Sequence, residues 1–168
     1  MCSAAIAGIA FYFSGDVCAT PAVGFKGTTL VQGRFDEVDA MDRLILSVYG
    51  ADERQVKAWL SQQKMNGPSD LYVQRNVWQP GGSTGWHIHP GHSLILVKEG
   101  AVTEYEGHDP DCKRHVYSKG MTFVDSGGEH VHNIRNEGGV VAETTAVQVI
   151  AAGAVRRIDV ADPGNCHF

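Results

Sequence analysis

The chain has 168 residues, which suits one ordinary domain rather than two. Apolar residues make up 43% and charged ones 20%, a globular balance with no low-complexity tract or repeat. The net charge of −5 and the lack of any Lys/Arg cluster argue against a nucleic-acid or anionic-membrane partner, because both need phosphate-neutralising basic charge, and leave a small molecule as the expected partner.

The apolar run from Ala4 to Phe13 is too short to span a bilayer, and Val17-Cys18-Ala19 offers the small residues that a signal peptidase reads before Thr20-Pro21. Residues 1–19 are therefore expected to be a secretory leader, and 20–168 one exported domain, periplasmic or secreted. No Lys or Arg precedes Lys26, so the basic start of such a leader is missing; the alternative is a buried N-terminal strand in a cytoplasmic protein. Cleavage after Ala19 would remove Cys2 and Cys18 and leave Cys112 and Cys166, an even pair that an oxidising compartment would bridge and a reducing one would keep as thiols.

Thr29–Asp36 reads as a first strand, and 44–49 as a second apolar, β-leaning run. Residues 53–65 are helix formers with Val56, Trp59 and Leu60 on one face and Asp52 as N-cap, which predicts a helix; a strand over 59–65 is the alternative. From Asp70 onward the pattern is β: 71–78, 93–98, 101–106, 115–117, 121–125, 134–136 and 142–151, separated by glycine turns and a loop over 107–112. Many short strands and one doubtful helix predict an all-β antiparallel sandwich or barrel.

Between these strands, Gly81-Gly82-Ser83-Thr84-Gly85 leads into Trp86-His87-Ile88-His89, and Gly127-Gly128 leads into His130-Val131-His132. Residues i and i+2 of a strand share a face, so each pair can aim two imidazoles at one point. Two such pairs on strands of one barrel would supply three or four nitrogen ligands, a set that suits Zn, Cu, Fe or Ni.

The spacing of these residues resembles the cupin superfamily. Gly81, five residues, His87, Ile88, His89, three residues, Ser93, six residues and Gly100 follow its first motif; Gly120, five residues, Ser126, Gly127, Gly128, His132, three residues and Asn136 follow its second. The likeness covers roughly residues 70–151 and implies a single-domain antiparallel β-barrel, a jelly roll with at most one or two short helices. More narrowly, Ser69-Asp70-Leu71-Tyr72-Val73, the Trp86-His87 turn and the closing Pro163-Gly164-Asn165-Cys166 are similar to small exported bacterial cupins. The resemblance implies one divalent transition metal (Fe, Zn, Mn, Ni or Cu) held by His87, His89 and His132. The second motif is one residue longer here than in the family, so His130 is the alternative third ligand.

Ser93 stands where the motif has a glutamate, and Ser126 where it has a proline. Ser93, Trp86, Tyr72, Gln74 and Asn136 are candidates for the pocket or its surroundings, as are Arg75, Glu143 and Gln148. Asp125 and Glu129 are either acceptors for imidazole N–H groups or part of a charged rim. His92, His108, His115 and His167 are expected at the surface. The resemblance also implies pairing into a homodimer through the first strand. Two functions follow: a dioxygenase-like metalloenzyme acting on a small chelating anion, or an exported module that binds a metal or small molecule without turnover.

Overall fold

In the computed structural model, which describes residues 19–44 and 59–168, all the regular elements are β-strands. They run β1 (Val23–Phe35), β2 (Val38–Leu44), β3 (Trp59–Met65), β4 (Ser69–Ser83), β5 (His87–Ile88), β6 (Ser93–Glu99), β7 (Ala101–Glu106), β8 (His115–Ser118), β9 (Thr122–Asp125), β10 (His132–Arg135), β11 (Ala142–Ala151) and β12 (Ile158–Asp159). One antiparallel wall is β1-β4-β11-β6-β9. A second is β12-β5-β10-β7-β8, and the two join where the end of β4 meets β10 at Ser83 and Arg135. The expected barrel of jelly-roll type is thus present.

The predicted helix is not. Its described part, 59–65, is β3, which pairs with β2 from Leu44–Trp59 to Val38–Met65. Leu60 and Met41 stay 60% and 67% exposed, whereas Val38 and Met65 are half-buried. The thin apolar stripe offered a helix little to bury, and helix propensity is a weak prior against a paired partner strand. The rest of the predicted helix and the 45–49 run lie outside the described residues.

Alternation places the core. On β6, Ser93, Ile95 and Val97 point inward while Leu94 and Leu96 face out. With Trp78, Phe123, Ala142 and Ala146 from the same wall and Val102 and Ile134 from the other, Ile95 and Val97 form one buried cluster. Each large side chain so buried contributes about 1.5–3 kcal/mol. Trp78 Nε1 donates to the Ile134 carbonyl at 3.2 Å, which closes the only polar group it brings inside.

A smaller cluster of Trp86, Tyr105 and Cys166 sits on the other side of the second wall, with Cys112 packed against it. Cys112 and Cys166 form a disulfide, their Cα atoms 5.3 Å apart. No helix among the described residues is long and apolar enough to cross a membrane.

Candidate metal centre

The two histidine motifs meet because their strands pair. His87 on β5 lies directly opposite His132 on β10, and directly opposed side chains in an antiparallel pair share a face. His89, two residues on, shares the face of His87. The turns carrying the motifs also abut: a Cβ on Gly127, whose φ is +69°, would come within 2.4 Å of the Gly91 carbonyl, so only glycine permits the contact.

One ring nitrogen each of His87, His89 and His132 lies within 4.8 Å of the others. The Nε2 atoms of His87 and His132 are 3.0 Å apart. His87 Nδ1 donates to the Gly85 carbonyl at 2.9 Å, and His89 Nδ1 to the Arg156 carbonyl at 2.7 Å. A carbonyl only accepts, so both Nδ1 atoms carry the hydrogen and both Nε2 atoms present lone pairs inward. Metal–imidazole bonds of about 2.0–2.1 Å put neighbouring nitrogens roughly 3–3.4 Å apart, so the separation fits two ligands of one ion.

Behind His132 lies an acidic lining. His132 is 1% exposed, and its Nδ1 is 3.6 Å from Glu104 Oε1 and 3.7 Å from Asp125 Oδ1. Glu104 Oε1, Asp125 Oδ2, His130 Nδ1 and His132 Nδ1 are all buried without a hydrogen-bond partner. Orphaned buried polar atoms cost about 1–3 kcal/mol each, so four in one place suit a cation and not a resting core.

His130 is turned away from His87 and His89. Its Nδ1 is 3.6 Å from Asp125 Oδ1 and its Nε2 is 3.7 Å from Glu106 Oε1. Those carboxylates raise its pKa, Asp125 foremost.

Burial sets the protonation of the centre. Desolvation, aided by the Arg157 charge, pushes His87 down to about 2; it lowers His89 and His132 as well, so the three rings are neutral and able to ligate. Burial pushes Glu104 up to about 7. Asp125 is pushed up by burial too, but the neighbouring histidines and the Gly127 N–H outweigh that and hold it below the usual carboxylate range, as a buried anion.

These shifts predict a pH effect on the metal-free protein. The folded rings bind protons less readily than the unfolded chain, whose histidines titrate near 6.5, so stability is full above about pH 6.5 and falls as pH drops below it. Glu104 opposes this weakly: its folded pKa is raised, so its burial costs most above about pH 7 and the cost fades on protonation. His130, whose folded pKa is raised, opposes it too; three lowered rings outweigh these two groups, and urea midpoints should fall from about pH 7 to pH 5. A flat profile would mean the rings are not neutral inside.

The histidines stand on the floor of a cavity of about 190 Å³. Gln74, Ser93 and Gln148 line it, as do Arg156 and Arg157, which sequence reading missed. Their signal was a charged pair in the otherwise small-residue stretch after the last long strand. Arg156 donates to Gln148 Oε1 at 3.0 Å, to Thr29 Oγ1 at 2.7 Å and to Gln74 Oε1, and its guanidinium lies 4.0 Å over the Tyr72 ring. Arg157 donates to Asp159 and to the Thr84 carbonyl.

Several candidates lie elsewhere. Trp86, in the bend just before β5, points into the cluster with Tyr105 and Cys166. Asn136 does not reach the cavity; its amide donates to the Trp78 and Val140 carbonyls and its oxygen accepts from Gly138, holding a turn. Tyr72 supports Arg156 from below and does not line the cavity. Arg75 and Glu143 pair at 2.5 Å on the outer face. Glu129 is exposed, whereas Asp125 is 1% exposed and so not a rim residue. His108, His115 and His167 are exposed, and His92 is half-buried.

No protein-family model matches the sequence, and no curated protein matches it. Solved structures do. An oxalate oxidase is 24% identical over 49% of this chain and 46% of its own, with a TM-score of 0.41. This chain therefore spans about half the length of the oxalate oxidases it matches. A cupin superfamily protein from Desulfitobacterium hafniense is 12% identical over 48% of this chain and 67% of its own, with a TM-score of 0.41. The polyketide cyclase RemF from Streptomyces resistomycificus is 15% identical over 93% of this chain and 90% of its own, with a TM-score of 0.51, a likeness of fold across nearly the whole chain. With its two histidine motifs on paired strands, the chain has an all-β barrel fold like that of RemF along nearly its whole length.

Proposed function

We propose that the protein is a metal-binding cupin in which His87, His89 and His132 hold one divalent transition metal and the cavity above them takes a small anionic, chelating ligand. The observation that carries this is the convergence of three neutral imidazoles, those of His87 and His132 buried and that of His89 half-buried, on the floor of that cavity. Bound there, such an ion would orient a chelating substrate and stabilise negative charge on it.

The chain's own groups do the rest. Gly85 and Arg156 carbonyls fix the His87 and His89 tautomers. Arg156 and Arg157 supply positive charge beside the floor, which favours a carboxylate, enolate or thiolate over a neutral ligand. Phe25, Trp78 and Ile134 in the lining exclude water around it. The reaction class this supports is dioxygenase-like oxidation of a small chelating substrate, with the side chains binding and orienting.

A second reading has its own observation. The Cys112–Cys166 disulfide suggests an oxidising compartment, and Thr20, the first residue after the expected cleavage point, is hydrogen-bonded to Trp86 and Val160 of the barrel. Export of residues 20–168 fits both. Ferrous iron is hard to keep reduced there, so an exported module holding Zn, Cu, Mn or Ni without turnover is the alternative. Pairing of two copies along β1, which exposes Leu30 and Val31, belongs to either reading.

Metal analysis of protein purified without chelators or nickel resin is the test, with one equivalent per chain expected. Iron together with O₂ uptake on adding a diketone or thiol supports the enzyme; zinc or copper without turnover supports the module. No metal even after reconstitution would sink both. Arg157→Ala should weaken binding of a small dicarboxylate probe by roughly 10-fold, about the value of one charge-assisted hydrogen bond, with metal content unchanged.

A further inference from the structure

The first motif lacks its carboxylate, since Ser93 occupies that position, yet the barrel buries a carboxylate directly across from it. β6 and β9 pair antiparallel with Ser93 opposite Asp125. Directly opposed residues have Cβ atoms about 4.5–5.5 Å apart on one face, so a side chain from position 125 reaches much the same space as one from position 93. Both are inward, Ser93 5% and Asp125 1% exposed.

The two oxygens of Asp125 are not alike. Oδ1 accepts the Gly127 N–H at 2.9 Å. Oδ2 is buried with no partner and lies 3.8 Å from His89 Nε2. Because His89 donates through Nδ1 to the Arg156 carbonyl, its Nε2 is a lone pair, and two lone pairs facing each other in a dry site repel. A cation between them removes the conflict: metal–ligand bonds of about 2.0–2.2 Å place two ligand atoms roughly 3–4 Å apart. As placed, the carboxylate groups within 4.8 Å with His130 and His132 and not with His87 and His89 together, so reaching the shared ion takes a turn of the Asp125 side chain towards His89.

We propose that Asp125 is the carboxylate ligand of the centre, supplied from β9 in place of the missing motif glutamate on β6, so that the donor set is three imidazoles and one aspartate. This rests on the metal-binding reading above and deepens it. The competing role, acceptor for an imidazole N–H, falls on Glu104, whose Oε1 lies 3.6 Å from His132 Nδ1, against 3.7 Å for Asp125 Oδ1, and has no other partner. His130, with Nδ1 3.6 Å from Oδ1, holds the aspartate from behind. One added carboxylate leaves the centre with a single positive charge, and oxygen in the donor set favours Zn, Mn or Fe(II) over softer Cu(I).

Cobalt(II) titration of the full chain, read by its visible absorption and by competition with a chromophoric chelator, tests this. Asp125→Asn should lower affinity by more than about 100-fold, beyond the roughly 10–100-fold cost of losing an orienting acceptor, and should shift the absorption bands. The double variant Ser93→Glu/Asp125→Ser should bring affinity back to within about 10-fold of the parent, since it returns a carboxylate to the site without the Asp125 contacts to Gly127 and His130. Affinity and bands unchanged in Asp125→Asn, or no recovery in the folded double variant while His132→Ala still abolishes binding, overturns the aspartate ligand and leaves the three-histidine reading standing. Cobalt binding unaffected by His132→Ala, or absent from the parent, overturns that reading itself. If Asp125→Asn does not fold, the double variant decides alone: recovered binding supports the transfer, and lost binding refutes it.

Discussion

His132→Ala is expected to abolish tight metal binding, a loss of more than about 100-fold, whereas His130→Ala should cost no more than roughly 10-fold. The two residues are a strand period apart and look equivalent on paper, but their rings see different surroundings. His132 presents Nε2 at 3.0 Å to His87 Nε2 and is 1% exposed. His130 faces Asp125 and Glu106 instead. His132→Ala also empties a ring-sized volume in the barrel floor, which by the cavity term costs about 2–4 kcal/mol in the metal-free state. The measurement is paired, with metal affinity by chelator competition and unfolding by urea in apo protein. Equal losses of affinity in the two variants would mean that both rings ligate or that neither does.

Reducing the disulfide, or replacing Cys112 and Cys166 by Ser, should cost about 2–4 kcal/mol and lower the melting temperature by roughly 5–15 °C. The bridge closes a separation of 54 residues, long enough that freeing it returns substantial entropy to the unfolded chain. It also fastens the C-terminal segment over the second apolar cluster. Phe168 meets Tyr105 edge-on with ring centroids 4.8 Å apart, and the Arg135 guanidinium sits 4.0 Å over the Phe168 ring. Because Trp86 in that cluster precedes His87, the reduced protein should hold its metal less tightly, but by far less than His132→Ala does. Calorimetry with and without reductant reads the stability term. An unchanged melting temperature would mean that packing of the tail, and not the covalent link, holds it.

Much of the fold was legible because it is written in local periods. Alternation along 93–98 and 142–151 and glycines between strands predict antiparallel β-structure, and both strands are present at nearly those bounds. The stretch from 53 to 65 misled because helix formers with a thin apolar face satisfy two descriptions, and only a partner strand chooses between them.

The sequence by itself determined the class of fold, the convergence of His87 and His89 on one face, and the cysteine pair: strand alternation, i, i+2 spacing and parity need no knowledge of distant residues. Tertiary structure brought the His132 ring, and not that of His130, beside those of His87 and His89, turned Trp86 and Asn136 to other packing, and set Asp125, Glu104, Arg156 and Arg157 around the floor. Those outcomes depend on strand register. A one-residue slip would turn every side chain of a strand to the opposite face, and register is set by pairing between segments far apart in the chain, such as 87 with 132 and 93 with 125.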